Sequence, residues 1–368
     1  MMMSMKKCIL AILLLSSAAL HADEQEKHPI SLLFGWSDLK PMSNNHTYAY
    51  DVAGTQPYFQ DWHAQVVNPH YSSTWELGMQ YAIKDNQYNL TVDWLHLNSS
   101  DSASKQGNQT LNLADIEFIA PPFEMSPPVF GIRRADAKLK YDFDNIAINL
   151  EKLFYPYANT SIKMMTGLNI IRLKQNMTTI FSDYVGSLPT DYSYALPADP
   201  LFSFQIQSIS QFIGIGPDLG LSGQLEIFDG LSMVGSALVS LNVGSINVEE
   251  NFSSTSTRLV SQGIGVSNQQ VTTPNKIQVV PGVDGKLGLV YQFKNPRLRN
   301  LSVEAGYHIA AYVNAISTTS PQTLVQPGTD TATPEFSTGT MAIVSMTQQD
   351  RPFNLNGPYL VVKFNVLC

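Results

Sequence analysis

Ile277-Gln278-Val279-Val280-Pro281-Gly282-Val283-Asp284-Gly285-Lys286-Leu287-Gly288-Leu289-Val290-Tyr291-Gln292-Phe293 is the stretch whose period decides the architecture. Its apolar residues Ile277, Val279, Val283, Leu287, Leu289, Tyr291 and Phe293 share one parity, while Gln278, Gly282, Asp284, Lys286, Gly288 and Gln292 share the other. After Lys294-Asn295-Pro296-Arg297 the pattern resumes, with Leu301, Val303, Ala305, Tyr307, Ile309, Ala311 and Val313 set against Ser302, Glu304, Gly306, His308, Tyr312 and Asn314. Strand side chains alternate between faces, so each arm has one continuous apolar face and one polar, glycine-bearing face. The arms exceed the roughly 5–6 residues usual for a soluble strand. They suit the about 9–11 tilted residues of a transmembrane barrel strand. A long hairpin in a soluble β-protein, its apolar face in an ordinary core, is the alternative.

The N-terminus separates the two. Lys6 and Lys7 precede the apolar run Cys8 to Leu15, and Ser16 to Ala19 lead to polar Asp23-Glu24-Gln25-Glu26. That order is the pattern of a secretory signal peptide. It predicts a signal over residues 1–22, with cleavage after Ala22 or Ala19, and one barrel domain over 23–368. The apolar run is short for a retained anchor. Beyond it no uninterrupted apolar run reaches about 18 residues, so no membrane helix is expected. A strand protein enters a bilayer only as a closed barrel, because hydrocarbon satisfies no free sheet edge. Charged residues are only 14% and aromatics 10% of the chain, as alternating barrel strands require. These features point to a Gram-negative outer membrane, with its lipid and the barrel assembly machinery as partners. The formal charge of −8 becomes −10 once Lys6 and Lys7 leave with the signal, which disfavours nucleic acid as a partner.

The same period recurs along the chain. Expected strands are Ile30 to Trp36, Trp75 to Ile83 with Tyr88 to Trp94 across Lys84-Asp85-Asn86, Ala137 to Leu153, and Ile162 to Ile170. Ile213 to Leu225 and Leu231 to Val243 flank Asp229-Gly230; the opening hairpin follows, and Tyr359 to Cys368 ends the series. Within 137–153 the apolar parity changes, from Leu139, Tyr141 and Phe143 to Ile146, Ile148 and Leu150. A bulge at Asp144-Asn145 or a turn there would explain it; one bulged strand is the preferred reading. Short connections at 84–87, 154–160, 226–230 and 294–300 alternate with long ones at 37–74, 98–134, 174–208, 245–275 and 317–355. Outer-membrane barrels sort their connections this way, with short turns in the periplasm and long loops outside. The expected fold is an all-β, antiparallel up-and-down transmembrane barrel of about 10 strands, or 8 to 12 if the first strand or the bulge is misjudged. Trp75, Tyr81, Tyr88 and Trp94 fall near arm ends, where aromatic belts meet headgroups.

The chain resembles the Legionella-type major outer membrane proteins, a pore-forming family. The likeness is carried by Ala137 to Leu150, Phe212 to Pro217, Val280 to Tyr291, Ala305 to Tyr307, Tyr312 to Ala315 and Gly357 to Leu360. It implies an outer-membrane β-barrel passing small solutes. One departure is the end of the chain: Phe364 is followed by Asn365, Val366, Leu367 and Cys368 rather than closing on an aromatic, which weakens the usual assembly signal.

Parity assigns Glu76, Asp93, Lys163, Asp218, Asp284, Lys286, Glu304 and His308 to the lumen as candidate pore-lining residues. Leu287, Leu289, Tyr291, Val303, Ile309, Val362 and Phe364 are assigned to lipid. If Phe293 pairs with Leu301, Lys286 lies opposite His308, with Asp284 and Glu304 nearby. Such a cluster tunes ion selectivity, or it is a salt-bridge set filling a narrow tube; open aqueous channels have about 16–18 strands. The inward glycines Gly214, Gly216, Gly282, Gly288 and Gly306 leave space or permit curvature. A surface adhesin or structural role through the long loops is the alternative function. A hydrolase is less favoured: no G-x-S-x-G occurs, Gly220-Leu221-Ser222-Gly223 falls one residue short, and His96 is the rim histidine to watch. His46, His63 and His70 lack metal-ligand spacing, so neither metal nor cofactor is expected. Cys368 alone survives signal cleavage, leaving a free thiol or a disulfide between chains. A reducible ladder on non-reducing gels that Cys368→Ser abolishes marks the bridge; a single band with a thiol open to alkylation marks the free form.

Overall fold

The computed structural model describes residues 30–366, except 56–57, 84–86, 108–115, 123–131, 185–197, 257–267, 294, 296–299 and 327–339. The signal segment and Cys368 lie outside the described residues. In chain order the strands are β1 (Ile30–Met42), β2 (Thr47–Thr55), β3 (Tyr58–Val66), β4 (Ser72–Ile83), β5 (Tyr88–Gln106), β6 (Ile116–Ala120) and β7 (Ile132–Tyr157). They continue with β8 (Thr160–Tyr184), β9 (Asp199–Phe228), β10 (Leu231–Ser254), β11 (Gln269–Thr272), β12 (Lys276–Gln292), β13 (Leu301–Gln326) and β14 (Thr340–Val366).

Ten of these strands, β1, β4, β5, β7, β8, β9, β10, β12, β13 and β14, each pair antiparallel with the next, and β1 pairs with β14. The sheet therefore closes on itself. β11 adds a short rung beside the far end of β10, and β3-β2-β6 form a separate small sheet. At one end the strands join tightly: Tyr157 pairs with Thr160, and Phe228 with Leu231 across Asp229-Gly230. Gly230 adopts φ 85°, a left-handed conformation that glycine takes without steric cost.

Each ring strand places a large apolar side chain on the outside. Phe34, Leu77, Leu90, Leu150, Leu168, Leu219, Leu241, Leu287, Ile309 and Leu360 are all exposed, Leu287 at 63% and Ile309 at 57%. Together they form a belt. A contiguous apolar surface of this kind is unstable in water and is what hydrocarbon requires.

Above the belt the polarity of the wall inverts. On β7 the residues at 138, 140, 142 and 144 point outward as Lys, Lys, Asp and Asp, while Leu139, Tyr141 and Phe143 are buried within. Lower on the same strand Ile148 and Leu150 are exposed outside, and Asn149 and Glu151 are buried inside. The ladders of β7 with β5 and β8 run through Asp144 and Asn145 without a register shift. The expected bulge is thus absent. What changes at Asp144-Asn145 is the medium on the outer side, from lipid-like to aqueous, and the apolar face moves inward in response.

The long connections are shorter than their polar sequence suggests, because the strands run on into them. β5 reaches Gln106, β8 Tyr184, β10 Ser254 and β13 Gln326, so much of 98–134, 174–208, 245–275 and 317–355 is extended wall. Likewise β1 continues to Met42, and 37–74 contains β2 and β3. This upper wall encloses a core of its own. Tyr48, Ala49 and Ile119 from the small sheet join Leu39, Leu97, Leu139, Phe204, Phe212 and Phe353 of the ring in one cluster.

In a bilayer, Leu289→Arg should cost about 2–4 kcal/mol, the penalty for a cation on the lipid face near the midplane. Lys140→Ala, on the same outer surface above the belt, should fall within about 0.5 kcal/mol of wild type. Urea titration of refolding into lipid vesicles measures both.

Candidate functional site in the barrel lumen

The interior is built in tiers. All eight residues assigned to the lumen lie on the inner face, and most are paired there. Lys286 and His308 are cross-strand partners, and the Phe293 amide donates to the Leu301 carbonyl at 3.2 Å, so the expected register holds. The charges nevertheless sort differently from that adjacency. Lys286 Nζ reaches Glu76 at 2.7 and 2.8 Å, and His308 Nε2 meets Asp284 at 2.9 Å. Glu76 on β4 and Lys286 on β12 are four strands apart around a ring of ten, so this ion pair spans the lumen. Gly35, next to Glu76, has no room for a side chain: a Cβ there would sit 2.9 Å from Glu76 Cβ.

Below this bridge is a cavity of about 300 Å³, whose wall includes Asp93, Lys163, Lys286, Glu304, Tyr359 and Lys363. Lys163 pairs with Glu151 at 3.2 Å, Tyr359 donates to Glu304 at 2.6 Å, and Lys363 donates to Gln80 at 2.6 Å. Asp218 accepts from Asn149 at 2.6 Å once that amide is turned nitrogen-first toward it. Glu151, Lys363 and Gln80 were not singled out from sequence, although each shares the inward parity of its strand. Glu151 meets Lys163 diagonally across the β7–β8 hairpin, whereas Lys363 and Gln80 are 283 positions apart and only the closure of the ring through β1 brings them together. Of the two expected roles, the glycines show that of leaving space, and they do so in two ways. At Gly216 and Gly306 a Cβ would meet the neighbouring strand's carbonyl oxygen at 1.8 and 2.2 Å, so they serve close backbone approach. At Gly282 it would meet the Ser240 hydroxyl at 2.5 Å and the Tyr312 ring at 3.0 Å, so that glycine makes room for side chains.

Above the bridge the lumen is closed by rings. Phe143 lies 5.4 Å from Tyr312 and 5.2 Å from Phe353, and Tyr141 lies 5.3 Å from Phe353, all between centroids. The Asn145 amide donates to the Tyr312 hydroxyl at 3.3 Å across the same gap. Higher still, Gln175 donates to the Tyr141 hydroxyl at 2.7 Å and to the Asn45 carbonyl at 3.0 Å. Tyr141 also meets His46 Nε2 at 2.6 Å. Burial holds the His46 imidazole down at about 4, so the ring is neutral at ordinary pH. This chain fastens the segment after β1 to the inner wall.

Beyond it opens a second cavity, of about 430 Å³, whose wall includes Asn45, Tyr50, Gln175, Glu250, Thr319 and Arg351. The Glu250 carboxylate accepts from Ser208 at 2.7 Å and Thr319 at 2.9 Å. Burial nonetheless pushes its pKa up to about 7.

The residues assigned to lipid take the outer face of their strands. Leu287, Leu289, Tyr291, Ile309 and Phe364 are exposed, and Val303 and Val362 are partly so. His96 also points outward, with Asp144 at 2.8 Å and Asp142 close by. Arg172 reaches both carboxylates at 3.5 Å, and Trp94 donates to Asp144 at 3.1 Å, so organic partners already occupy this group.

A family model described as the Legionella pneumophila major outer membrane protein precursor matches residues 30–366. No curated protein matches the chain. Among solved structures it is similar to the outer membrane protease OmpT from Escherichia coli, at 11% identity over 93% of this chain and 99% of that one, with a TM-score of 0.43. It is also similar to the translocator domain of the autotransporter NalP from Neisseria meningitidis, at 8% identity over 98% and 95%, with a TM-score of 0.21. A Pseudomonas aeruginosa FadL homologue gives 8% over 92% and 90%, with a TM-score of 0.21. Such low scores carry no argument about chemistry, and the barrel rests on its own strand pairing.

Glu250 makes stability depend on pH. Its folded pKa of about 7 lies above the ordinary 4.5, so the folded state holds the proton more tightly between those values. Its contribution is full below about pH 4.5 and is lost as pH rises toward 7. His46, with its lowered pKa, acts in the opposite sense between about 4 and 6.5. Glu250→Gln isolates the first effect: relative to the variant, wild type should lose unfolding midpoint from pH 4.5 to 7. Midpoints that run parallel in this range would refute the buried carboxyl.

Proposed function

The chain belongs to the family of the Legionella pneumophila major outer membrane protein and is an outer-membrane β-barrel, and from that premise we propose a narrow, porin-like conduit for small solutes or ions, shut in the conformation described and acting without enzymatic chemistry. The observation that carries this reading is the inner face of the lower half. It is lined by charges of both signs around a cavity of about 300 Å³, and Asp93, Glu151 and Lys286 continue into a further pocket of about 220 Å³ on the other side of the bridge. Buried charges are costly, and a barrel serving only as an anchor gains nothing from keeping such a wall around an aqueous space. The belt residues Leu287, Leu289 and Ile309 face lipid in this reading.

Between the lower cavity and the upper one stand the Glu76–Lys286 pair and the Phe143, Tyr312 and Phe353 rings. These are side chains on the wall. Opening at that level requires their rotation and the release of the Asn45–Gln175 pair above, and leaves the ladders of the ring intact. Ten strands enclose little width, so the solutes are small.

A second reading is surface binding, favoured by the upper cavity with Glu250 and Arg351 on its wall. Planar-bilayer recording of the refolded mature chain separates the two. Wild type should give small, infrequent steps. Phe143→Ala with Phe353→Ala removes ring contacts worth about 0.5–1.5 kcal/mol each and should raise the open fraction about tenfold. Absence of steps from both proteins, with strand content intact by circular dichroism, overturns the conduit and leaves surface binding.

A further inference from the structure

The outer wall of β7 and β8 just above the belt carries a concentration of cations, only part of which the fold uses in ion pairs. Lys138 and Lys140 point outward from β7, and Arg172 and Lys174 from β8, in a chain whose formal charge is −8. With Arg134 there are five cations against Asp136, Asp142 and Asp144, a local excess of two. The carboxylates are engaged. Asp136 holds Arg134 at 2.7 Å, and Asp142 and Asp144 hold Arg172. Glu249, the acidic group whose field Lys174 reaches from the far side of β9, accepts from Asn251 and Gln270 at 2.9 Å each. Lys138, Lys140 and Lys174 form no ion pair with any described carboxylate.

Their spacing fits a phosphate. Lys140 pairs across the ladder with Asn176, and Asp142 with Lys174, so Lys140 and Lys174 are diagonal neighbours about 7–8 Å apart, and two such flexible chains converge easily. Lys138 and Lys140 also line a groove of about 430 Å³ in this wall, which includes Asn176, Thr178 and Gln207 as further polar groups. Directly beneath lie Ile146, Ile148 and Ile170, with Ile213 and Ile215 on β9, an unbroken apolar surface. Trp75 and Trp94 pack together beside the cluster at 4.4 Å between centroids, as interfacial aromatics do. Cations at headgroup height above an acyl-chain wall suit an anionic amphiphile in the leaflet on the side of the long connections, and the Asn176, Thr178 and Gln207 side chains of the groove offer partners for hydroxyls beside its phosphate.

We propose that this wall binds the phosphorylated headgroup of an outer-leaflet glycolipid, with Lys138, Lys140 and Lys174 on phosphate, the groove on sugar hydroxyls and the isoleucine surface on acyl chains. The test uses the mature chain refolded in glycolipid-free detergent and native mass spectrometry. Probes are a multi-acylated glucosamine disaccharide with its phosphates, the same lipid dephosphorylated, phosphatidylglycerol, and inorganic phosphate. The phosphorylated glycolipid should be retained at about tenfold lower concentration than any other probe. Lys138→Gln with Lys140→Gln and Lys174→Gln should abolish that advantage, while Lys40→Gln with Lys276→Gln, on other walls, should preserve it. All five changes are on the solvent side of the belt, and gel heat-modifiability checks that both variants close. Equal retention of phosphatidylglycerol, equal competition by inorganic phosphate, or undiminished binding by the triple variant each overturns the proposal.

Discussion

Every backbone amide and carbonyl that enters hydrocarbon must find its partner inside the protein. For a strand protein this makes the seam between the first and last strands decisive. Here β1 and β14 pair from Ile30↔Val366 to Ser37↔Tyr359, and again from Lys40↔Asn356 to Met42↔Asn354. The interruption falls at Asp38 and Leu39, opposite Gly357 and Pro358. Proline has no amide hydrogen to give. The pair Trp36↔Leu360, both exposed and apolar, lies below the break, so the seam is continuous up to that pair and opens only above it. A break lower in the seam would leave polar groups in hydrocarbon.

From closure follows the division of the wall into two regimes. Within the belt the outside is apolar, so the inside is free to be polar, and it holds Glu76, Lys286, Asp284 and His308 in pairs. Above the belt both the outside and the end of the barrel face water, and the only dry place is within. Tyr141, Phe143, Phe204, Phe212 and Phe353 accordingly turn inward.

That inversion explains what the sequence could and could not say. Strand number, hairpin register and facing were legible wherever one medium bathed a whole arm, as from Val283 to Tyr291. Across Asp144-Asn145 the same alternation was misread as a bulge, because a change of apolar parity has two causes, a slipped backbone and a changed environment, and the residues alone do not distinguish them. The extended walls above the belt read as loops for a related reason: their outward residues are Gln, Ser, Asn and Thr, and their inward aromatics are too sparse to set a period. Pairings across the lumen were illegible in kind. Lys286 was seen beside His308, but its charge partner Glu76 lies 210 positions earlier in the chain, and only the circumference of the ring determines that the two meet.

The ring contacts that close the lumen are also the floor of the upper core. Phe143 meets Tyr312 and Phe353, ladder partners on β13 and β14, across the barrel, and all three belong to the same apolar cluster as Tyr48, Val67 and Ile119 from the connections above. Rotating them aside would remove the lowest layer of that core, so conduction of the kind proposed and the stability of the upper wall would draw on one set of contacts. The His46–Tyr141–Gln175–Asn45 chain strengthens this coupling, because it ties the first long connection to Tyr141, a ring packed against Phe353. In this fold the rings that cross the lumen and the connections packed on them are a single packed unit, set at the height where the outer medium changes from lipid to water.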